Sequence, residues 1–139
     1  INAPMRGSRH IAVWLVCVAL ATAASLCPAH ATDIKSVRVS SNDARTRAVL
    51  DLSGTVQYKL FQLSNPGRVV LDFSDSALGH GFDAPRNVGM LKDIRTGRHG
   101  KDGVRVVLDL SDKAHAKSFL LKPKDGHGYR LVVDLPSFP

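Results

Sequence analysis

The residue types that carry most enzyme chemistry are sparse and scattered in this chain. His80, His99, His115 and His127 stand in separate stretches, with no pair at the spacing by which a helix brings two imidazoles onto one metal. All 12 acidic residues are Asp, so no Glu is available as a ligand or general base. Ser53, Ser74 and Ser111 follow apolar runs, where turns need hydroxyls, and nothing like a nucleophile elbow surrounds them. These observations predict no catalytic residue, no metal site and no cofactor. An enzyme whose site is assembled by the fold from distant residues stays as the alternative of another class.

Cations near turns offer binding chemistry instead. In Ser64-Asn65-Pro66-Gly67-Arg68, a hairpin turn would use Asn65 and Gly67 for unusual backbone angles and leave Arg68 beside them. Arg95-Thr96-Gly97-Arg98-His99-Gly100-Lys101 reads as a cationic, glycine-rich loop. It is either simply solvated or presents guanidinium groups and open amides to carboxylates and sugar hydroxyls. The candidate ligand-binding residues are therefore Asn65, Arg68, Arg95, Arg98, Lys101 and Arg105. The competing reading of Arg68 and Arg105 is that they only pair with Asp72, Asp109 or their cross-strand counterparts.

The elements that must position these groups are written as one phrase used four times. The copies are Arg47-Ala48-Val49-Leu50-Asp51-Leu52-Ser53, Arg68-Val69-Val70-Leu71-Asp72-Phe73-Ser74, Arg105-Val106-Val107-Leu108-Asp109-Leu110-Ser111 and Arg130-Leu131-Val132-Val133-Asp134-Leu135-Pro136. Side chains alternate along a strand, so positions two, four and six of each copy make an apolar face and Arg, Val and Asp line the other. The larger repeat is a half-domain. A shift of 58 lays Arg47–Leu63 on Arg105–Leu121, matching Lys59 with Lys117 and Phe61 with Phe119, while shifts of 57 upstream and 62 downstream continue it. The loop between the last two strands is therefore longer in the second half.

Strands are expected over residues 35–40, 45–53, 56–63, 68–74, 92–96, 104–111, 114–121 and 129–135, with a Gly- and Asp-rich connector at 76–90 that has room for a short helix. No stretch has helical periodicity, so the class is all-β: a β-sandwich of two symmetry-related, internally duplicated sheets. The halves, about 34–75 and 91–135, are expected to superpose as equivalent four-stranded sheets about a pseudo-two-fold axis. Leu50, Leu52, Leu71, Phe73, Leu108, Leu110, Leu131 and Leu135 are the expected core.

Residues 1–31 read as an export leader. From Met5 a basic start (Arg6, Arg9), an apolar run Ile11–Ala24 and the small-residue site Ala29-His30-Ala31 give the three parts of a signal peptide, with cleavage before Thr32 and no stable membrane anchor. Both cysteines, Cys17 and Cys27, fall inside it, so the exported domain at 32–139 has no disulfide and depends on its core. Without Arg6 and Arg9, 17 Lys and Arg face 12 Asp, a balance of +5. Nucleic acid is not an expected partner, since aromatic residues are only 6% of the chain and export removes it from that partner.

With the duplication and the phrases in view, the chain resembles the AMIN domain, the N-terminal non-catalytic module of periplasmic N-acetylmuramoyl-L-alanine amidases. The resemblance covers about residues 34–135 and rests on Tyr58-Lys59-Leu60-Phe61-Gln62-Leu63-Ser64-Asn65-Pro66-Gly67-Arg68-Val69-Val70-Leu71-Asp72, on Ile94-Arg95-Thr96-Gly97, on Phe119-Leu120-Leu121-Lys122-Pro123 and on the last two phrases. It implies a symmetrical sandwich of two sheets that binds peptidoglycan in the periplasm and brings an enzyme to the division septum, where septal division proteins are possible partners. The zinc-dependent catalytic domain of that family, with His and Glu ligands, has no counterpart in these residues. A wall-binding AMIN module of a type IV pilus secretin is the alternative within the binding class.

Overall fold

The computed structural model describes residues 31–137, and residues 1–30 of the leader, with any anchor there, lie outside them. Nine strands follow in order: β1 (Thr32–Ser41), β2 (Arg45–Leu52), β3 (Tyr58–Leu63), β4 (Arg68–Phe73), β5 (Ser76–Leu78), β6 (Leu91–His99), β7 (Gly103–Leu110), β8 (Lys117–Leu121) and β9 (Tyr129–Pro136). They form a five-stranded sheet ordered β5-β1-β2-β9-β8 and a four-stranded sheet ordered β3-β4-β7-β6. The described residues contain no helix, and the connector instead supplies β5, which pairs in parallel with β1. The two sheets share one core, as the sandwich expectation required.

The alternating phrase explains that core. Ala48, Leu50 and Leu52, then Val69, Leu71 and Phe73, then Val106, Leu108 and Leu110, then Leu131, Val133 and Leu135 are all at most 5% exposed. Every core residue expected from the sequence is among them. Strand-forming β-branched and large apolar residues on one face give each sheet a side that only the other sheet can cover.

One expectation fails, because the halves do not each make a sheet. Each sheet takes two strands from each half, β1 and β2 with β9 and β8, or β3 and β4 with β7 and β6. The phrase itself permits this pairing. Read antiparallel against another copy, its Arg stands opposite an Asp at both ends and its central Val opposite a Val. Copies one and four pair in this way (Arg47↔Asp134, Val49↔Val132, Asp51↔Arg130), and copies two and three do the same (Arg68↔Asp109, Val70↔Val107, Asp72↔Arg105). The pseudo-symmetry then exchanges the sheets. The shifts of 57, 58 and 62 carry β1-β2-β9-β8 onto β6-β7-β4-β3, and even the irregularity between Ile34 and Ser36 recurs between Leu91 and Asp93.

The turns follow local chemistry. Asn42 Oδ1 accepts hydrogen bonds from the amides of Ala44 and Arg45 at 2.8 and 3.0 Å, which closes β1 onto β2. Asn65 takes φ 59° in the β3–β4 turn, followed by a cis Asn65–Pro66 bond, whereas Gly67 is not left-handed. Seven residues join β8 to β9 against four between β3 and β4, the longer second-half loop expected from the sequence.

Candidate functional site

The strand registers place three rows of side chains across the outward face of the four-stranded sheet. They are Lys59-Asp72-Arg105-Gly97, Phe61-Val70-Val107-Arg95 and Leu63-Arg68-Asp109-Asp93, each taken in strand order. The other sheet repeats them as Lys117-Asp134-Arg47-Ser40, Phe119-Val132-Val49-Arg38 and Leu121-Arg130-Asp51-Ser36. Each face is an apolar stripe ending in Phe, framed by ionic rows.

The ionic groups are held in place. Arg105 donates from Nε and Nη2 to the Asp72 carboxylate at 2.7 and 2.9 Å, and Arg47 grips Asp134 in the same way at 2.6 and 2.9 Å. Arg95 is bidentate on Asp109 at 2.7 and 3.0 Å, and Arg38 on Asp51 at 2.9 and 3.0 Å. Hydrogen bonds from Arg105 hold the Asp72 carboxyl below its ordinary range against partial desolvation, and Arg47 does the same for Asp134. For Asp51, burial works upward, but hydrogen bonds and charge from Arg38, with help from Ser36, leave it lowered.

Each bidentate guanidinium uses two of its five N–H donors and keeps the rest for another partner. The Arg105 guanidinium carbon lies 5.8 Å from the centre of the Phe61 ring, and that of Arg47 lies 6.0 Å from Phe119. Phe61 and Phe119 are nevertheless 38% and 40% exposed, while Val70 and Val132 beside them are buried although they lie on the outward face. A fixed apolar ring beside rigid donors and carboxylates suits a ligand with hydroxyls around an apolar face, as a sugar has. Among the described residues, no group of three or more His, Cys, Asp or Glu is placed to hold a metal ion.

A cleft of about 560 Å³ opens between the β3–β4 turn and the β7–β8 crossing, with Gln62, Leu63, Arg68, Lys113 and His115 among its lining residues. Gln62 reaches across to donate to the Ala114 carbonyl.

The AMIN domain model matches residues 36–135. The chain belongs to the AMIN domain family. Its relatives include the N-acetylmuramoyl-L-alanine amidase AmiC of Neisseria meningitidis serogroup B, 33% identical over 110 residues, which are 76% of this chain and 26% of that protein. The AmiC of Escherichia coli O6:H1 is 31% identical over 129 residues, 89% of this chain and 30% of that protein. The chain thus spans under a third of the curated relatives it matches, and the part matched by the family model is a non-catalytic module.

Within this AMIN domain, the six residues singled out from the sequence are not all brought together: Arg68, Arg95 and Arg105 share the outward face of the four-stranded sheet, and Arg98 does not. Arg95 and Arg98 were expected on a loop, but β6 runs on to His99, so side chains three residues apart leave from opposite faces. Arg95 and Arg105 are engaged by Asp109 and Asp72, the competing reading for Arg105. Arg68 departs from that reading. Its Nε donates to the Pro66 carbonyl at 3.2 Å, and among the described residues neither Arg68, Arg98 nor Lys101 forms an ion pair. Asn65 is exposed in the turn next to the cleft.

Sequence reasoning passed over Phe61, Phe119 and Lys113 as site residues. The first two had a signal, since each breaks the apolar-in alternation of its strand and the duplication aligns them. Lys113 had none, because only the β7–β8 crossing brings it near Arg68.

Proposed function

We propose that the chain is the wall-binding module of an exported N-acetylmuramoyl-L-alanine amidase, holding peptidoglycan on the outward faces of its two sheets. The duplicated arrangement of Phe61 with Arg105 and Asp72, and of Phe119 with Arg47 and Asp134, carries this reading. Two like faces on opposite sides of one sandwich match a polymer that offers the same unit many times, where a second contact raises retention without new chemistry. A basic balance favours approach to a wall whose stem peptides carry carboxylates.

The leader at 1–31 supports export to the periplasm, and relatives named as amidases support an enzyme that this module brings to its substrate. Delivery to the division septum, with septal proteins as partners, belongs to the same reading. The amidase relatives favour it over a secretin module.

Co-sedimentation with purified sacculi tests the proposal. The chain is expected in the pellet at moderate salt and to a lesser extent at high salt, as exposed charges are screened. A chain that stays in the supernatant at low salt contradicts wall binding.

A further inference from the structure

The duplication is kept in the core and in the outward rows but broken at the cleft. Leu63, Gly67, Arg68, Leu110, Asp112 and Lys113 line it. The shifts of 58 and 62 carry these onto Leu121, Tyr129, Arg130, Leu52, Gly54 and Thr55 in the other half. There other groups stand at the equivalent positions. Tyr129 packs half-buried against the core, and Thr32 at the start of β1 donates its hydroxyl to the Thr55 carbonyl at 2.6 Å. At Gly67 even a Cβ would stand 3.2 Å from the Asp112 carbonyl oxygen and 3.8 Å from the Leu110 Cβ, so a Tyr there would fill the opening.

The polar groups diverge in the same place. Thr55 stands where the cleft has Lys113. Among the described residues neither Arg68 nor Lys113 has a carboxylate within ion-pair distance, and the Asp112 carboxylate accepts the Lys113 amide at 2.7 Å. Two cations without an ionic partner thus flank an opening that also presents Leu63 and Leu110, of which Leu63 is 42% exposed. A cleft of about 560 Å³ falls in the range of small-ligand sites, which hold apolar surface with a few fixed polar groups.

We propose that this cleft takes the free carboxylate end of a short peptide, with Arg68 and Lys113 on the carboxylate and Leu63 and Leu110 against a small apolar side chain. A planar guanidinium can engage both carboxylate oxygens, and an ammonium adds a point charge beside it. The proposal rests on the wall-binding reading and names the end of the stem peptide as a part recognised, at one site per domain, while the two sheet faces meet sugar.

The test is a titration of the isotope-labelled chain, followed by amide NMR, with acetyl-Lys-D-Ala-D-Ala and with its C-terminal amide. The free acid is expected to shift the amides of Gly67, Arg68 and Lys113, and the amide form to bind at least tenfold more weakly. Arg68→Gln is expected to weaken the acid by roughly tenfold or more, the scale of a charged hydrogen bond. Lys113→Gln, at an exposed position, is expected to weaken it with an unchanged melting temperature, which guards against misfolding of the Arg68 variant. Equal binding of acid and amide, or shifts confined to other regions, overturns the proposal. Sacculus pelleting without cleft shifts overturns the cleft and leaves the wall-binding reading standing; cleft shifts without pelleting do the reverse.

Discussion

Leu108→Ala and Leu50→Ala, made separately, should destabilise the domain by nearly the same amount. Both side chains are 0% exposed and related by the shift of 58. Leu108 lies between Val69 on β4 and Ile94 on β6, and Leu50 between Leu131 on β9 and Val37 on β1. Each substitution removes three carbons, worth about 2.5 kcal/mol of transfer free energy. The cavity left behind brings the total to roughly 2–5 kcal/mol. For a domain of this size the melting temperature then falls by roughly 10–30 °C. Urea unfolding followed by far-UV circular dichroism measures both changes, with an unchanged denaturant slope showing that the same surface is exposed. A cost below about 1 kcal/mol in either variant, or a gap above about 2 kcal/mol between them, would refute the equivalence of the two sheets.

The Asp51, Asp72 and Asp134 carboxyls are held below their unfolded value, so the folded state binds fewer protons than the unfolded one as pH falls. Their stabilisation is complete above the unfolded carboxylate value, about 3.9, and is lost as pH falls through the lower folded values. Urea midpoints should be flat from about pH 7 to 5 and then drop, with a shallower drop in Asp72→Asn and Asp134→Asn; an equally steep drop in both variants would contradict these pairs as the source. Gly103→Ala should cost about 1–3 kcal/mol, because its Cβ would meet the Phe73 and His99 carbonyl oxygens at 2.5 and 2.6 Å. A thermal melt matching the parent would show that the β6–β7 hairpin relaxes freely. Arg98→Ala should leave both melting temperature and sacculus binding unchanged, since the side chain departs from the face opposite to Arg95, and a loss of binding would return the β6–β7 turn to the site.

Period-two alternation made the core legible residue by residue, because one buried face is a local property of each strand. The duplication made the symmetry legible as well. Partner choice was not, since four copies of a self-complementary phrase allow several pairings, and only the crossings after β2 and β7 select copy one with four and two with three. The short β5 escaped notice because three residues carry too little alternation to register, and its place is set by β1 beside it. Gly97 and Gly100 made Arg95–Lys101 look like a loop, yet pairing with β7 carries the strand through Gly97 to His99, and the turn is confined to 100–102. Arg95 was legible as chemistry but not as already engaged by Asp109, whereas the pairing of Arg105 with Asp72 was legible as the competing reading.

The most direct measurement is the fraction of chain bound to purified sacculi for the parent, Phe61→Ala, Phe119→Ala and the double variant, each checked for an unchanged melting temperature. If the two outward faces are equivalent wall contacts, each single variant should bind several-fold more weakly and to a similar degree, as expected when an aromatic anchor is removed from a contact surface. The double variant should lose most of the remaining binding, because the second contact no longer compensates for the first. Parent-like binding by the double variant would contradict the sheet faces as the peptidoglycan-binding surface.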